Sequence, residues 1–391
     1  MRIGIEAQRL FRPHKHGMDR VTLELIKNLQ IIDKKNEYFI FVKPDTDNDV
    51  IKSTENFKII EVAGGPYPFW EQVKLPKLIK EYKCDLLHCT CNTAPLKLKI
   101  PLVTTLHDII FKENTILNLV TSSASWYQKI GNLYRRIIVE RVVKRSNRLI
   151  TVSNFEKNNI TNYFKVDDKN LNAIHNGVSE RFHTNYLIEQ KIEIRKKYNL
   201  PERFILHIGN TDPRKNTNRV LKAFHKYTSE NRNHCKLVLV GLNNAKLESI
   251  ISDLSLLNEL KSNIVLTGYV SDEDLPIIFN MAQLFLFPSL REGFGIPIIE
   301  AMASGIPVIT SNTSSMPEVA DNAALLIDPN KTEEIYDGIK KILSSNRLRD
   351  ELIKKGLVRS KSFSWVNAAH DVFDIYKQLY NEHKTKIYDE K

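Results

Sequence analysis

The decapeptide Arg291-Glu-Gly-Phe-Gly-Ile-Pro-Ile-Ile-Glu300 sets two carboxylates, Glu292 and Glu300, on either side of a glycine-bearing turn, with seven residues between them. Gly293 and Gly295 let the backbone approach a ligand closely, and Pro297 suits the first position of a helix, where its missing N–H would have no partner anyway. The unbonded amides of such a helix start receive phosphate oxygens. Each carboxylate can accept a charge-assisted bond from a hydroxyl, worth roughly 1.5–3 kcal/mol when desolvated. The segment suits a ligand that carries hydroxyls and phosphates together.

Two further groups have the chemistry to complete such a site. Leu206-His-Ile-Gly209 reads as a strand end, followed by the loop Asn210-Thr-Asp-Pro-Arg-Lys-Asn216 and a helix starting near Asn216. Arg214 supplies a planar fork and Lys215 a compact point charge, a combination that neutralises a diphosphate without a metal ion. His107-Asp108 follows Val103-Thr-Thr-Leu106 at another strand's carboxyl end, where imidazole can donate to a hydroxyl or steady charge growing on a reacting ring. Ser153-Asn-Phe-Glu156 has the spacing of a capping box that opens a helix.

Elements in alternation position these groups. Strands are predicted at Arg2–Ile5, Tyr38–Val42, Lys58–Val62, Leu86–His88, Leu102–Thr105, Arg148–Val152 and Asn172–Ile174, with helices Met18–Leu29, Phe69–Tyr82 and Trp126–Lys144 among them. A second series comes after the polar stretch Ser179–Leu200. Its strands are Phe204–Ile208, Lys236–Val240, Asn263–Leu266, Leu284–Phe287 and Val308–Thr310, and its helices Asn216–Tyr227, Ala245–Leu257, Asp272–Met281, Pro297–Ala303 and Glu333–Leu343. Two such series predict two doubly wound α/β domains, residues 1–185 and 186–364, with ligand sites beyond the carboxyl ends of parallel strands. Asn176-Gly177 is a turn signal near the passage between them.

The paired glutamates, with Arg214-Lys215 and His107 upstream in order, resemble the retaining glycosyltransferase family 4, whose members have the GT-B fold: two Rossmann-like domains facing a cleft. The resemblance implies a metal-independent enzyme that moves a sugar from a nucleotide diphosphate to an acceptor hydroxyl, with no separate cofactor. Under it Glu292 contacts donor-sugar hydroxyls, the Gly293, Phe294 and Gly295 amides contact sugar or diphosphate, and Glu300 contacts the ribose. Arg214 and Lys215 hold the diphosphate, and His107 stands beside the donor sugar. His16-Gly-Met-Asp-Arg20 replaces the family's glycine-rich loop with a single glycine, leaving Gly17 and Arg20 as candidate contacts. The helix from Trp365 is expected to cross back, so that residues 365–391 complete the first domain.

Ile3-Gly-Ile-Glu-Ala-Gln-Arg9 and Gly17-Met-Asp-Arg20 resemble bacterial mannosyltransferase-like members that act in surface polysaccharide or lipopolysaccharide assembly. GDP-mannose is the first expected donor and a UDP-sugar the second, with a glycan or lipid-linked glycan as acceptor. A nucleotide-sugar epimerase on the same fold and a non-catalytic scaffold are the competing readings; incubation with donor alone separates the epimerase, and loss of Arg214, Lys215 or Glu292 would mark the scaffold. Asp45-Thr-Asp47 has the Asp-x-Asp form by which other glycosyltransferases hold a metal, but it lies in Lys-Pro-Asp-Thr-Asp-Asn-Asp, a turn composition. Cys84, Cys89 and Cys91 with His88 read as a buried strand and its loop, because no second ligand pair stands nearby.

The chain of 391 residues is 42% hydrophobic and 26% charged, ordinary for two globular domains. No apolar run reaches the roughly 18 residues a spanning helix needs, and Met1-Arg-Ile-Gly-Ile-Glu reads into a strand in place of a signal peptide, so a cytoplasmic location is expected. The net charge of +11 calls for an anionic partner. Lys129, Arg135, Arg136, Arg141, Lys144, Arg145 and Arg148 crowd a helical stretch, 129–148, suited to peripheral contact with anionic lipid at the inner face of the cell membrane. Nucleic acid is not expected, since no recognition module accompanies the charge.

Overall fold

The computed structural model describes residues 1–113, 126–230, 235–251 and 258–389. They divide into two compact units, one formed by Met1–Asn176 with the segment from Trp365, the other by Gly177–Ser364. The division falls at the Asn176-Gly177 turn, earlier than residue 185. Residues 177–185 go with the second unit because Phe182 packs edge-on against Phe279, centroids 5.6 Å apart, and the Val178 N–H donates to the Phe363 carbonyl at 3.1 Å.

In the first unit seven parallel strands, β1 (Arg2–Glu6), β2 (Glu37–Val42), β3 (Phe57–Glu61), β4 (Leu86–Cys89), β5 (Leu102–Thr105), β6 (Arg148–Thr151) and β7 (Leu171–Ala173), lie in the order β3-β2-β1-β4-β5-β6-β7. Burial on both faces explains why β1, β2 and β4 read as continuous apolar runs and not as alternation. One face packs on the helix Gly17–Ile32 and on the C-terminal helix Trp365–Asp389, whose Ala369, Val372, Tyr376 and Leu379 share a core with Ile3, Ile26 and Leu29.

The stretch expected as one helix, Phe69–Tyr82, is broken into Tyr67–Phe69, a π turn Trp70–Lys74 and the helix Leu75–Glu81. Pro76 has no N–H to return to the Gln72 carbonyl, and the ladder widens so that the Leu75 N–H reaches the Trp70 carbonyl. The widened turn buries Glu71.

The second unit holds β8 (Phe204–Ile208), β9 (Lys236–Val240), β10 (Ile264–Gly268), β11 (Leu284–Phe287), β12 (Val308–Ser311) and β13 (Leu325–Ile327), all parallel, in the order β10-β9-β8-β11-β12-β13. The three-residue β13 is too short to show a period, and the helix Ile188–Lys197 shows none because it buries only Ile194. The helix Asn346–Ser360 is equally silent in the sequence; of its residues only Leu352, Gly356 and Ser360 are buried. The helix expected over Ala245–Leu257 runs Asn244–Ile250, and residues 252–257 lie outside the described residues.

Candidate active site

Strand order reverses between β8 and β11, and a doubly wound sheet opens its ligand crevice beyond the carboxyl ends of such a pair. Arg214 and Lys215 follow β8, and Glu292 follows β11. Asp212 caps the turn Pro213–Lys215 by accepting the Arg214 N–H at 3.0 Å. Asn216 then takes a left-handed conformation (φ 59°) and sends its Nδ2 to the Pro288 and Pro329 carbonyls at 3.0 and 2.7 Å. The Leu290 N–H donates to the Arg214 carbonyl at 2.7 Å, which stitches the two loops edge to edge.

That stitching brings Lys215 Nζ to 2.6 Å from Glu292 Oε1, with the ammonium 5.2 Å from the Phe287 ring centre. Arg214 is clasped by its own turn, Nε and Nη2 donating to Asp212 Oδ2 at 3.0 and 2.6 Å. Beneath them His207 donates from Nδ1 to the Leu286 carbonyl at 2.8 Å, which leaves Nε2 to accept the Thr217 hydroxyl at 3.1 Å. Burial holds this imidazole neutral, with its pKa down at about 4.

Glu292 is fixed by its backbone. Ser314 Oγ accepts its N–H at 3.1 Å and donates to its carbonyl at 2.7 Å, and Ser315 Oγ bridges the Glu292 and Phe294 carbonyls at 3.0 and 2.9 Å. Gly295 precedes the helix Ile296–Ala303 at φ 102°, a conformation that a side chain would strain. Pro297 occupies the second helical position and not the first, which leaves Ile296 with an N–H at the helix start. The Phe294 ring is buried against Phe363, centroids 5.6 Å apart, so only its backbone remains for a ligand. Glu300 is buried in the helix. Gly209, Gly241 and Gly268 at the ends of β8, β9 and β10 close the same edge, the Gly241 N–H donating to the Gly268 carbonyl at 2.8 Å; the exposed ring of Tyr269 comes next.

His107 and Gly17 belong to the first unit. His107 follows β5, buried, and its Nε2 lies 2.8 Å from the Thr90 carbonyl. A carbonyl only accepts, so Nε2 carries the proton and the neutral ring has an acceptor left at Nδ1, where a donor was expected. Burial lowers its pKa and favours that neutral form. Gly17 is the first residue of its helix, with ordinary backbone and nothing within 4 Å of an added Cβ, so no local geometry requires glycine there.

The basic stretch 129–148 is partly consumed by the fold. Arg145 Nη2 donates to the Leu98 and Ile100 carbonyls at 2.7 and 3.2 Å, Arg148 pairs with Glu382, and Arg135 lies over the Phe111 ring. Arg141 and Lys144 are exposed, beside half-exposed Leu133 and Ile137; the side chain of Lys129 lies outside the described residues. No helix among the described residues is long and apolar enough to cross a membrane.

Residues 190–359 match the family described as glycosyl transferases group 1, and residues 16–182 match glycosyltransferase family 4. The chain belongs to the group 1 glycosyltransferases. It is 28% identical over 381 residues to O-antigen chain mannosyltransferase B of Escherichia coli, covering 93% of this chain and 96% of the relative. It is 30% identical over 297 residues to O-antigen chain mannosyltransferase RfbU of Salmonella typhimurium, covering 75% and 74%. The Anabaena Alr3699/HepE structure, solved in complex with UDP-glucose, superposes with a TM-score of 0.72 at 16% identity over 97% of this chain and 100% of that one. The fold is GT-B.

In this glycosyltransferase, sequence reasoning passed over Asp212, Asn216, His207, Ser314 and Ser315, which hold the charged groups without being charged partners themselves, Asp212 excepted. The only sequence signal for them was the polar loop around Arg214 and a Ser-Ser pair after β12. Ser153 Oγ accepts the Glu156 N–H at 3.1 Å, a helix cap. Asp47 of the Asp-x-Asp segment is ion-paired with Lys15, and among the described residues no group of three His, Cys, Asp or Glu is placed to hold a metal.

Proposed function

We propose that this glycosyltransferase is a retaining, metal-independent hexosyltransferase that moves mannose from GDP-mannose, or failing that a sugar from UDP, to a hydroxyl of a glycan or lipid-linked glycan in surface polysaccharide assembly. The observation that carries the reading is the Lys215–Glu292 pair, 2.6 Å across the β8/β11 switch point. The two relatives named above are O-antigen chain mannosyltransferases, which supports mannose and a surface glycan. HepE takes UDP-glucose on the same fold, which supports a nucleotide-linked donor.

Lys215 and Glu292 hold opposite charges in register, and a diphosphate sugar answers both. Its phosphates recruit the ammonium, its hydroxyls donate to the carboxylate, and Arg214 adds a planar fork that Asp212 keeps oriented. Amides at the Ile296 helix start take further phosphate charge, Glu300 takes the ribose and Tyr269 offers a ring face to the base. As the glycosidic bond breaks, these donors stabilise the leaving diphosphate, and no metal is needed for that task. On the first unit, His107 Nδ1 is an acceptor suited to a hydroxyl group. The departing phosphate takes the acceptor proton on the face it leaves, and the anomeric configuration is kept. For the lipid-linked acceptor, Leu133, Ile137, Arg141 and Lys144 supply a small amphipathic surface for an anionic membrane.

The test is transfer from GDP-mannose, UDP-glucose and ADP-glucose with and without EDTA, with the product's anomeric configuration read by NMR. Donor preference is checked by thermal shift, since a bound donor stabilises by RT ln(1 + [L]/Kd). An inverted product, or activity abolished by EDTA, would sink the mechanism.

A further inference from the structure

The first sheet has its own reversal of strand order, between β1 and β4, and so its own crevice beyond those strand ends. Glu6 closes β1, while Thr90 and Cys91 follow β4. Glu6 is 1% exposed; Oε1 accepts the Gln8 N–H at 3.0 Å, the Thr90 amide faces the carboxyl and lowers its pKa, and Oε2 has no well-aligned hydrogen-bond partner among the described residues. Glu71, buried close by, is supplied differently: the Thr93 and Tyr134 hydroxyls donate to it, as does Gln72 Nε2 at 2.8 Å.

A buried carboxylate keeps its charge only where donors surround it. Burial raises the Glu71 carboxyl as well, but its donors oppose that rise, so Glu71 is the first of the two to ionise and Glu6 holds its proton longer. Arg9, the cation that faces Glu6, is engaged elsewhere, with Nε 3.0 Å from Asp19 Oδ1 and Nη2 donating to Cys91 Sγ at 3.3 Å. The remaining titratable neighbours of Glu6 are Tyr67, Cys89 and Cys91, all pushed up by burial and neutral near pH 7. Burial first, with repulsion from Glu71 adding to it, lifts the Glu6 carboxyl to about 7.

We propose that Glu6 is a proton-controlled positioning residue for the first unit's crevice. As a neutral acid it leaves Arg9 to Asp19 and Cys91; once its proton passes to solvent, the carboxylate competes for the guanidinium and rearranges the loop after β1. The link to catalysis rests on the glycosyl-transfer reading above, whereas the titration of Glu6 does not.

The experiment follows the melting temperatures of wild type, Glu6→Gln and Glu71→Gln from pH 4 to 9, with kcat/KM for transfer measured in parallel. A carboxyl raised from 4.5 to about 7 in the fold gives stability that is present below 4.5 and lost as pH climbs to about 7. The melting difference between Glu6→Gln and wild type should therefore grow over that window and then level, and Glu71→Gln should move the window down. Wild-type kcat/KM should fall about tenfold per pH unit above the midpoint, while Glu6→Gln keeps its rate. A melting difference independent of pH in Glu6→Gln would overturn the titration, and superimposable kcat/KM profiles would overturn the positioning role. If no variant transfers from any donor, the functional reading fails, while the melting curves still decide the protonation of Glu6. Should Glu6→Gln not fold, infrared difference spectra of Glu71→Gln, in which Glu71 no longer titrates, carry the same decision: a carboxyl band that persists above pH 5 supports a protonated Glu6, and its loss below pH 5 overturns it.

Discussion

Lys215 and Glu292 are each other's counter-ion at 2.6 Å, and both side chains are largely screened from water. Removing one leaves the other charge buried without compensation, which costs more than removing both. Lys215→Ala should lower stability by about 1–3 kcal/mol, and adding Glu292→Gln should recover most of that loss without restoring function. On the proposed mechanism each single variant loses a group aimed at developing charge, and transfer should drop by at least about 10²-fold. Urea melts and initial rates check this, and a Lys215→Ala enzyme retaining a tenth of its activity would remove the pair from the site.

At the scale of elements, the site depends on two loops being held at one height above the sheet. Asn216 does this with one side chain, joining the β8 loop to the Pro288 and Pro329 carbonyls from a left-handed conformation. Asn216→Ala loses both bonds and the residue type that tolerates that backbone, an expected cost of about 2–3 kcal/mol. Its kcat should fall more than its donor affinity, because Lys215 is displaced and not removed; equal losses in both would argue for simple unfolding. The helix Trp126–Arg145 makes a second claim at this scale. Leu133→Ser with Ile137→Ser should reduce flotation with vesicles rich in anionic lipid while leaving transfer to a short soluble acceptor intact, and undiminished flotation would discard the surface.

For the whole molecule, buried imidazoles tie acid stability to the two units separately. His88 bonds Tyr376 of the C-terminal helix at 2.6 Å and Thr105 at 2.8 Å, and burial depresses its pKa to about 3; His207 is held at about 4. Each is neutral in the fold and would protonate on unfolding below about 6.5, so each withdraws stability as pH falls, by up to about 1.4 kcal/mol per pH unit. Glu6, raised to about 7, and Glu71, also raised by burial, act in the opposite sense on acidification and offset His88 and His107 in the first unit. Calorimetry between pH 4.5 and 7 should show the second unit losing stability faster on acidification. A first unit that is the more acid-labile would contradict this assignment.

Hydrophobic period and residue type alone determined the strands at Leu102–Thr105, Phe204–Ile208, Lys236–Val240 and Leu284–Phe287, because a parallel strand buried on both faces leaves a continuous apolar run. They also determined which charged residues stand at strand ends, since chain order dictates the loop residues next to each strand. Partners were not legible: that Lys215 meets Glu292, 77 residues away in sequence, depends on β8 lying beside β11. Nor was the state of each charge, for burial and donor supply at Glu6, Glu71 and His107 come from elements that only the packed sheet assembles. Types and spacing named the chemistry available to this chain. The tertiary structure decided which groups share a site and which of them hold a proton there, because desolvation and hydrogen bonding are properties of neighbours and not of residues.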